Sequence, residues 1–167
     1  REARPAVDRV SLDLREGEIL GVLGQSGSGK STLARLIVGL EAPDSGRVTS
    51  TPGADRAGSG AAASHVQLVF QDPHDSFDPR MPLGTSLEAP LLRHRNGTPE
   101  QRRASIHEVV REVGLEPELL DRRPGQCSGG QLQRLTIARA LLLEPAVLIC
   151  DEATSALDAV TQRTVLD

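Results

Sequence analysis

Gly24-Gln25-Ser26-Gly27-Ser28-Gly29-Lys30-Ser31 is the stretch on which the fold turns. Its glycine, lysine and hydroxyl positions match the phosphate-binding loop pattern. The physical need for that pattern is direct. Backbone N–H groups close around phosphate oxygens only where glycine removes the steric cost of the required turns. A helix that starts at the end of the loop adds its dipole and its free N–H donors. In that arrangement Lys30 neutralises charge on β- and γ-phosphates, and the hydroxyl of Ser31 is a ligand for Mg²⁺. The alternative is a glycine-rich turn that matches by accident, which at average composition happens in about one chain in a hundred of this length.

Outward from the loop, the flanks are those the mechanism demands. Ile19-Leu20-Gly21-Val22-Leu23 is a short apolar run suited to a buried strand, and Leu33, Leu36, Ile37 and Leu40 recur at helical spacing from near Lys30. Upstream, Val10-Ser11-Leu12-Asp13-Leu14 alternates as a half-buried strand does, with a turn at Arg15-Glu16-Gly17-Glu18. Arg47-Val48-Thr49 reads as another strand, Thr51 to Ser64 as a flexible surface loop, and His65 to Phe70 as a strand. Thr98-Pro99-Glu100-Gln101 has the form of a capping box with proline at the first helical position, and Ile106, Val109, Val110 and Val113 follow as one apolar face. A second helix is expected from Ser128 to Leu143, then a strand from Ala146 to Cys150. The order fits an α/β fold, a layered P-loop NTPase core with an α-helical subdomain inserted between about Asp72 and Gly125. At 167 residues the chain has room for a single domain with a real core.

Two further motifs carry chemistry. Val147-Leu148-Ile149-Cys150-Asp151-Glu152 is an apolar strand ending in two carboxylates. Beside a phosphate-binding loop, Asp151 belongs on the Mg²⁺ shell and Glu152 faces the attacking water as general base. The bland reading is a strand that ends in solvated acids. Cys127-Ser128-Gly129-Gly130-Gln131 has capping-box spacing between Ser128 and Gln131, and its two glycines let backbone approach an anion. Read alone, it is an ordinary helix start.

Together these motifs resemble an ABC-type ATPase over nearly the whole chain. Gly24 to Ser31 is similar to that family's Walker A, Gln71 to its Q-loop glutamine and Ser128 to Gln131 to its signature motif. Asp151 and Glu152 are similar to Walker B, and Ser155-Ala156-Leu157-Asp158 to the D-loop. The resemblance implies a nucleotide site built from Gly24, Gln25, Ser26, Gly27, Ser28, Gly29, Lys30, Ser31 and Thr32, completed by Ser128, Gly129, Gly130 and Gln131 of a second ATPase subunit paired head to tail. It implies Mg²⁺ held by Ser31, Gln71 and Asp151, and a reaction carried by Glu152, Gln71 and Lys30. It also implies integral membrane permease subunits as partners, a solute-binding protein acting indirectly, and a place on the cytoplasmic face of the membrane. Val69-Phe70-Gln71-Asp72-Pro73, continued by Ser76-Phe77-Asp78-Pro79-Arg80-Met81, resembles the segment found in oligopeptide, dipeptide and nickel importer ATPases. The competing readings are a non-transport ABC ATPase of the translation or DNA-repair type, and an exporter ATPase.

Composition narrows the field. A net charge of -4 and a pI near 5.6 argue against a broad nucleic-acid-binding face. Cys127 and Cys150 have neither metal-ligand nor disulfide-framework spacing, so a reducing compartment is expected. No apolar run approaches the roughly 20 residues needed to span a bilayer. The chain begins at Arg1 and stops at Asp167 inside a helical-looking stretch, which reads as a piece of a longer protein. Cys127 stands where the resembled family usually has leucine. That family's adenine-stacking aromatic residue and its switch histidine have no counterpart, since the chain has no Tyr or Trp and no histidine after Glu152.

Overall fold

The computed structural model describes residues 5–49, 65–70, 72–94 and 97–151. The readings made for Thr51 to Ser64, for Gln71, for Glu152 and for Ser155 to Asp158 lie outside the described residues. In chain order the elements are helix α1 (Lys30–Val38), strand β1 (Val66–Val69), helix α2 (Leu83–Arg93), helix α3 (Pro99–Glu112), helix α4 (Gly129–Leu141) and strand β2 (Val147–Cys150). Single 3₁₀ turns occur at His74–Ser76, Pro117–Asp121 and Pro124–Gln126.

β1 and β2 pair in parallel, with Val66 opposite Val147 and Val69 opposite Cys150. The ladder is extended at both ends. Ala146 donates to the His65 carbonyl at 2.9 Å, and Asp151 donates to the Val69 carbonyl at 3.1 Å. Parallel strands need a crossover, which here consists of α2, α3 and α4. Both α1 and α4 pack against β1. Helices on a parallel sheet are the α/β arrangement expected from the order of the motifs.

Each helix boundary has a local cause. α1 is bracketed by Gly29 at φ 96° and Gly39 at φ 78°. Gly39 donates back to the Leu36 carbonyl and Leu40 to that of Arg35, which closes the last turn. α3 begins on a reciprocal box, in which Gln101 donates its backbone N–H to the Thr98 hydroxyl and accepts from the Thr98 N–H at 2.8 Å. α4 begins on a second box built the same way by Ser128 and Gln131.

The core is one apolar cluster. Leu83, Leu87 and Leu91 of α2 meet Ile106 and Val110 of α3, and Leu132, Leu135 and Ile137 of α4, with Val69 of β1 included. Each fully buried leucine among these is worth about 1.5–3 kcal/mol relative to exposure. Residues from the stretch expected to be a helical insertion therefore share their packing with the helix and strand that carry the chemical motifs.

Three expected strands are not formed. Residues 10–14, 19–23 and 47–49 make no ladder with any described residue, and their apolar side chains stand in the open, with Ile19 67 % and Leu23 96 % exposed. Alternation in a sequence specifies two faces, whereas a strand also requires a neighbour about 4.8 Å away to bond with. The turn between the first two segments does form. Glu18 donates to the Arg15 carbonyl at 3.1 Å and returns a carboxylate contact to the Arg15 N–H at 2.9 Å.

Candidate functional site

The loop from Gly24 to Ser28 is exposed and leads directly into α1. Glycine is required by geometry at Gly27, which lies at φ 77°, and at Gly29 where the loop enters α1. Gly29 lies at φ 96°, and a Cβ there would sit 2.2 Å from the Ala6 carbonyl oxygen. At Gly24 a Cβ would meet only the Ser28 hydroxyl closely, at 2.6 Å, and that hydroxyl can rotate away. A loop of bulkier residues could not hold this path.

Lys30 is the first residue of α1 and bends back over the loop. Its ammonium donates to the carbonyls of Gly24 at 2.9 Å and Gln25 at 3.0 Å. Ser31, exposed, and Thr32 follow in the same first turn. The cap residue is a glycine, so no side chain caps the turn, and no acidic residue lies within it. Backbone donors at a helix start, an adjacent cation and no competing carboxylate together suit an anion such as a nucleotide phosphate. On chemistry the donor set fits ATP. The hydroxyl of Ser31 and the carboxylate of Asp151 are oxygen ligands of the type Mg²⁺ prefers.

Asp151 ends β2, where its N–H still bonds the sheet through Val69. The register therefore brings Asp151 beside the end of β1, the strand that runs toward Gln71. The roles read for Gln71 and Glu152 lie outside the described residues.

Ser128 and Gln131 satisfy each other at the start of α4, at 2.9 Å and 3.2 Å, with Ser128 and Gly129 exposed and Gly130 half-buried. Arg134, one turn on, donates to the Gly130 carbonyl at 3.4 Å and the Gly114 carbonyl at 3.1 Å, tying the helix start to the end of α3. Cys127 packs against the core cluster, and Cys150 does likewise from β2. Burial pushes both thiols above their ordinary range, the behaviour of structural cysteines.

The segment after β1 is self-braced. The Asp72 carboxylate accepts from the His74 N–H at 2.8 Å. Asp78 accepts from the Arg80 backbone at 2.9 Å and from its guanidinium at 3.0 Å, which holds the Asp78 carboxyl below its usual range. One residue here escaped the reading of the sequence. Arg139 of α4 donates to the Ser76 carbonyl and lies over the Phe77 ring at 5.0 Å. The available signal was a charge at 139 on the stripe formed by Leu132, Leu135 and Thr136, all buried at helical spacing.

A cleft of about 320 Å³ opens beside the start of α4, lined by Gln131, Arg134, Arg122 and Glu116 among others, and it contains no residue of the phosphate-binding loop. The loop itself is exposed in this chain.

Comparison with known proteins bears on this geometry. The ABC transporter family matches residues 7–155. A putative peptide import ATP-binding protein of Brucella abortus (strain 2308) is 44 % identical over 167 residues, covering 97 % of this chain and 50 % of that protein. The oligopeptide transport ATP-binding protein OppF of Salmonella typhimurium is 46 % identical over 168 residues, again covering 97 % and 50 %. The chain thus spans about half the length of the curated relatives it matches. Among solved structures, a dimeric ATP-binding cassette in a post-hydrolysis state bound to ADP and Pi superposes with a TM-score of 0.81 at 32 % identity, covering 96 % of this chain and 71 % of that one.

Proposed function

The chain belongs to the ABC transporter family, and from that premise we propose that it is the catalytic core of an ATPase subunit that powers uptake of peptides or a related solute such as a nickel chelate. The observation that carries the reading is the start of α1. It has a glycine cap, uncapped first-turn donors and a lysine drawn over the loop. That is a site prepared for an anion. The peptide importers among the relatives support the class of cargo, and the dimeric neighbour bound to ADP and Pi supports hydrolysis by paired subunits.

The reaction is ATP + H₂O → ADP + phosphate. Residues Gly24 to Thr32 bind the phosphates, and Lys30 exchanges its two carbonyl partners for β- and γ-phosphate oxygens. Mg²⁺, held by Ser31, Gln71 and Asp151, would supply charge neutralisation at those oxygens. Glu152 accepts the proton of the attacking water, and Gln71 orients that water. Ser128 and Gly130 of the paired subunit donate to the γ-phosphate, so the site is complete only in the pair. Permease subunits dock on the helical residues between 72 and 125, which places the protein at the cytoplasmic face of the membrane. Among the described residues no helix is long and apolar enough to cross it.

Glu152→Gln in the full-length protein tests the base. Hydrolysis is expected to fall by about 100-fold or more with nucleotide binding retained. Turnover at the parental rate refutes the assignment.

A further inference from the structure

Arg139 puts a cation where the fold needs only apolar volume. It continues the buried stripe of Leu132, Leu135 and Thr136 on α4. Burial disfavours its charge. Its partners there are the Ser76 carbonyl and the face of Phe77, a ring that is itself only 5 % exposed. A methionine or leucine would fill the same space without desolvating an ion, and such replacements are often neutral or stabilising. An apolar side chain, however, cannot grip one particular backbone carbonyl. The guanidinium does so, and its planar face stacks on the ring beside it.

The two things Arg139 joins are far apart in sequence, Arg139 and Ser76 being 63 positions apart. Ser76 and Phe77 belong to the short braced segment that leaves β1 immediately after Gln71. α4 is the helix whose start presents Ser128, Gly129 and Gly130. Between these two partners the helix is packed rigidly, since Leu132, Leu135, Ile137 and Ala138 are all fully buried. A displacement of the Ser76 carbonyl therefore acts on the helix as a body.

We propose that Arg139 is a positioning residue that couples the two ATP sites of the paired assembly, by holding the segment that follows Gln71 to the helix that carries the signature motif. The inference rests on the paired-site reading above. In a head-to-tail pair, Gln71 serves the site at its own subunit's loop, whereas Ser128 to Gln131 of that subunit serve the opposite site. Arg139 is then the link, inside one subunit, between elements that belong to different sites. Occupancy at one site biases the other through this contact, and by linkage the bias is reciprocal.

The test is the ATP dependence of hydrolysis by the full-length protein, wild type against Arg139→Met, Arg139→Lys and Phe77→Leu, with ATP binding and thermal denaturation measured alongside. Arg139→Met is expected to fold, to bind ATP within about 2-fold of wild type, to lose about 10-fold in kcat, and to show a Hill coefficient that falls toward 1. Arg139→Lys keeps a donor for the Ser76 carbonyl and is expected to recover part of both losses. If Arg139→Met does not fold, Phe77→Leu, which keeps apolar volume and removes the ring face, is expected to lower the Hill coefficient by itself. Arg139→Met with wild-type kcat and Hill coefficient overturns the proposal. So does Arg139→Lys behaving as Arg139→Met with both losses tracking thermal stability, which is the mark of a packing role. Wild-type protein that hydrolyses ATP without cooperativity overturns the coupling alone. Wild-type protein that neither pairs nor hydrolyses overturns the functional reading with it.

Discussion

The starts of α1 and α4 solve the same problem in opposite ways. Every α-helix leaves its first N–H groups without intrahelical partners. At α4 the protein closes two of these donors itself, with the Ser128 hydroxyl on the Gln131 N–H and the Gln131 amide oxygen on the Ser128 N–H. At α1 the cap is Gly29, which has no side chain to offer, and the first turn holds no carboxylate. One start is capped by its own side chains and the other has no side-chain cap. The difference teaches that binding capacity at a helix terminus is visible where local satisfaction is withheld. A terminus with its own capping box can still be functional, but its capping bonds do not say so.

The third helix start makes the point sharper. Thr98 and Gln101 form a box on α3 with the same reciprocal bonds as Ser128 and Gln131. No chemical role is assigned to it. The largest expected effect in this comparison is at the open start. Lys30→Met is expected to lower ATP turnover by about 100- to 1000-fold, measured on the full-length protein at saturating magnesium. Hydrolysis at the wild-type rate would remove the open start from the mechanism.

The two boxes supply the next test. Ser128→Ala and Thr98→Ala should each cost about 1 kcal/mol of stability through the lost cap, seen as similar shifts in the denaturation midpoint. Turnover should separate them. Ser128→Ala is expected to lose about 10- to 100-fold through a missing hydrogen bond to a charged phosphate, while Thr98→Ala keeps wild-type hydrolysis. Equal turnover in both variants would reduce the Ser128 box to an ordinary cap.

The smallest effect concerns Cys127, which immediately precedes that box, and Cys150 on β2. Both thiols are raised by burial. A raised folded-state value means the unfolded chain releases its protons first as pH rises. The stabilising contribution is therefore fully present below the ordinary thiol value of about 8.5 and is lost above it. Alkylation at pH 8 should accordingly be slower in the folded protein than in denaturant, and denaturation midpoints should decline modestly as pH is raised toward 10. Equal alkylation rates in the two states would show the thiols to be freely solvated.

Local causes made much of this legible. The helix at Lys30, the boxes at Thr98 and Ser128 and the apolar face of α3 each depend on neighbours within a few positions, and each is where its residues indicated. Residues 10–14 and 19–23 carry an equally good strand pattern and form no ladder, because pairing is a property of two segments and the pattern describes one. The contact of Arg139 with Ser76 was illegible for the same reason, being fixed by how α4 lies on β1. Of the candidate site, the glycine-bracketed loop and the helix that starts at Lys30 could be read from the sequence alone. The signature half could be read only by resemblance, since Ser128 and Gln131 make the same reciprocal box as Thr98 and Gln101.

The backward bend of Lys30 has a consequence for selectivity. With its ammonium already held by the Gly24 and Gln25 carbonyls, an entering anion gains only the difference between its own pull and that of two amide dipoles. Coulomb attraction grows with the number of phosphate charges near the lysine, whereas the dipoles it must displace are constant. A triphosphate would therefore compete for the ammonium better than a monophosphate. Bound at this loop, anions would be sorted by charge through main-chain carbonyls that no point substitution can remove.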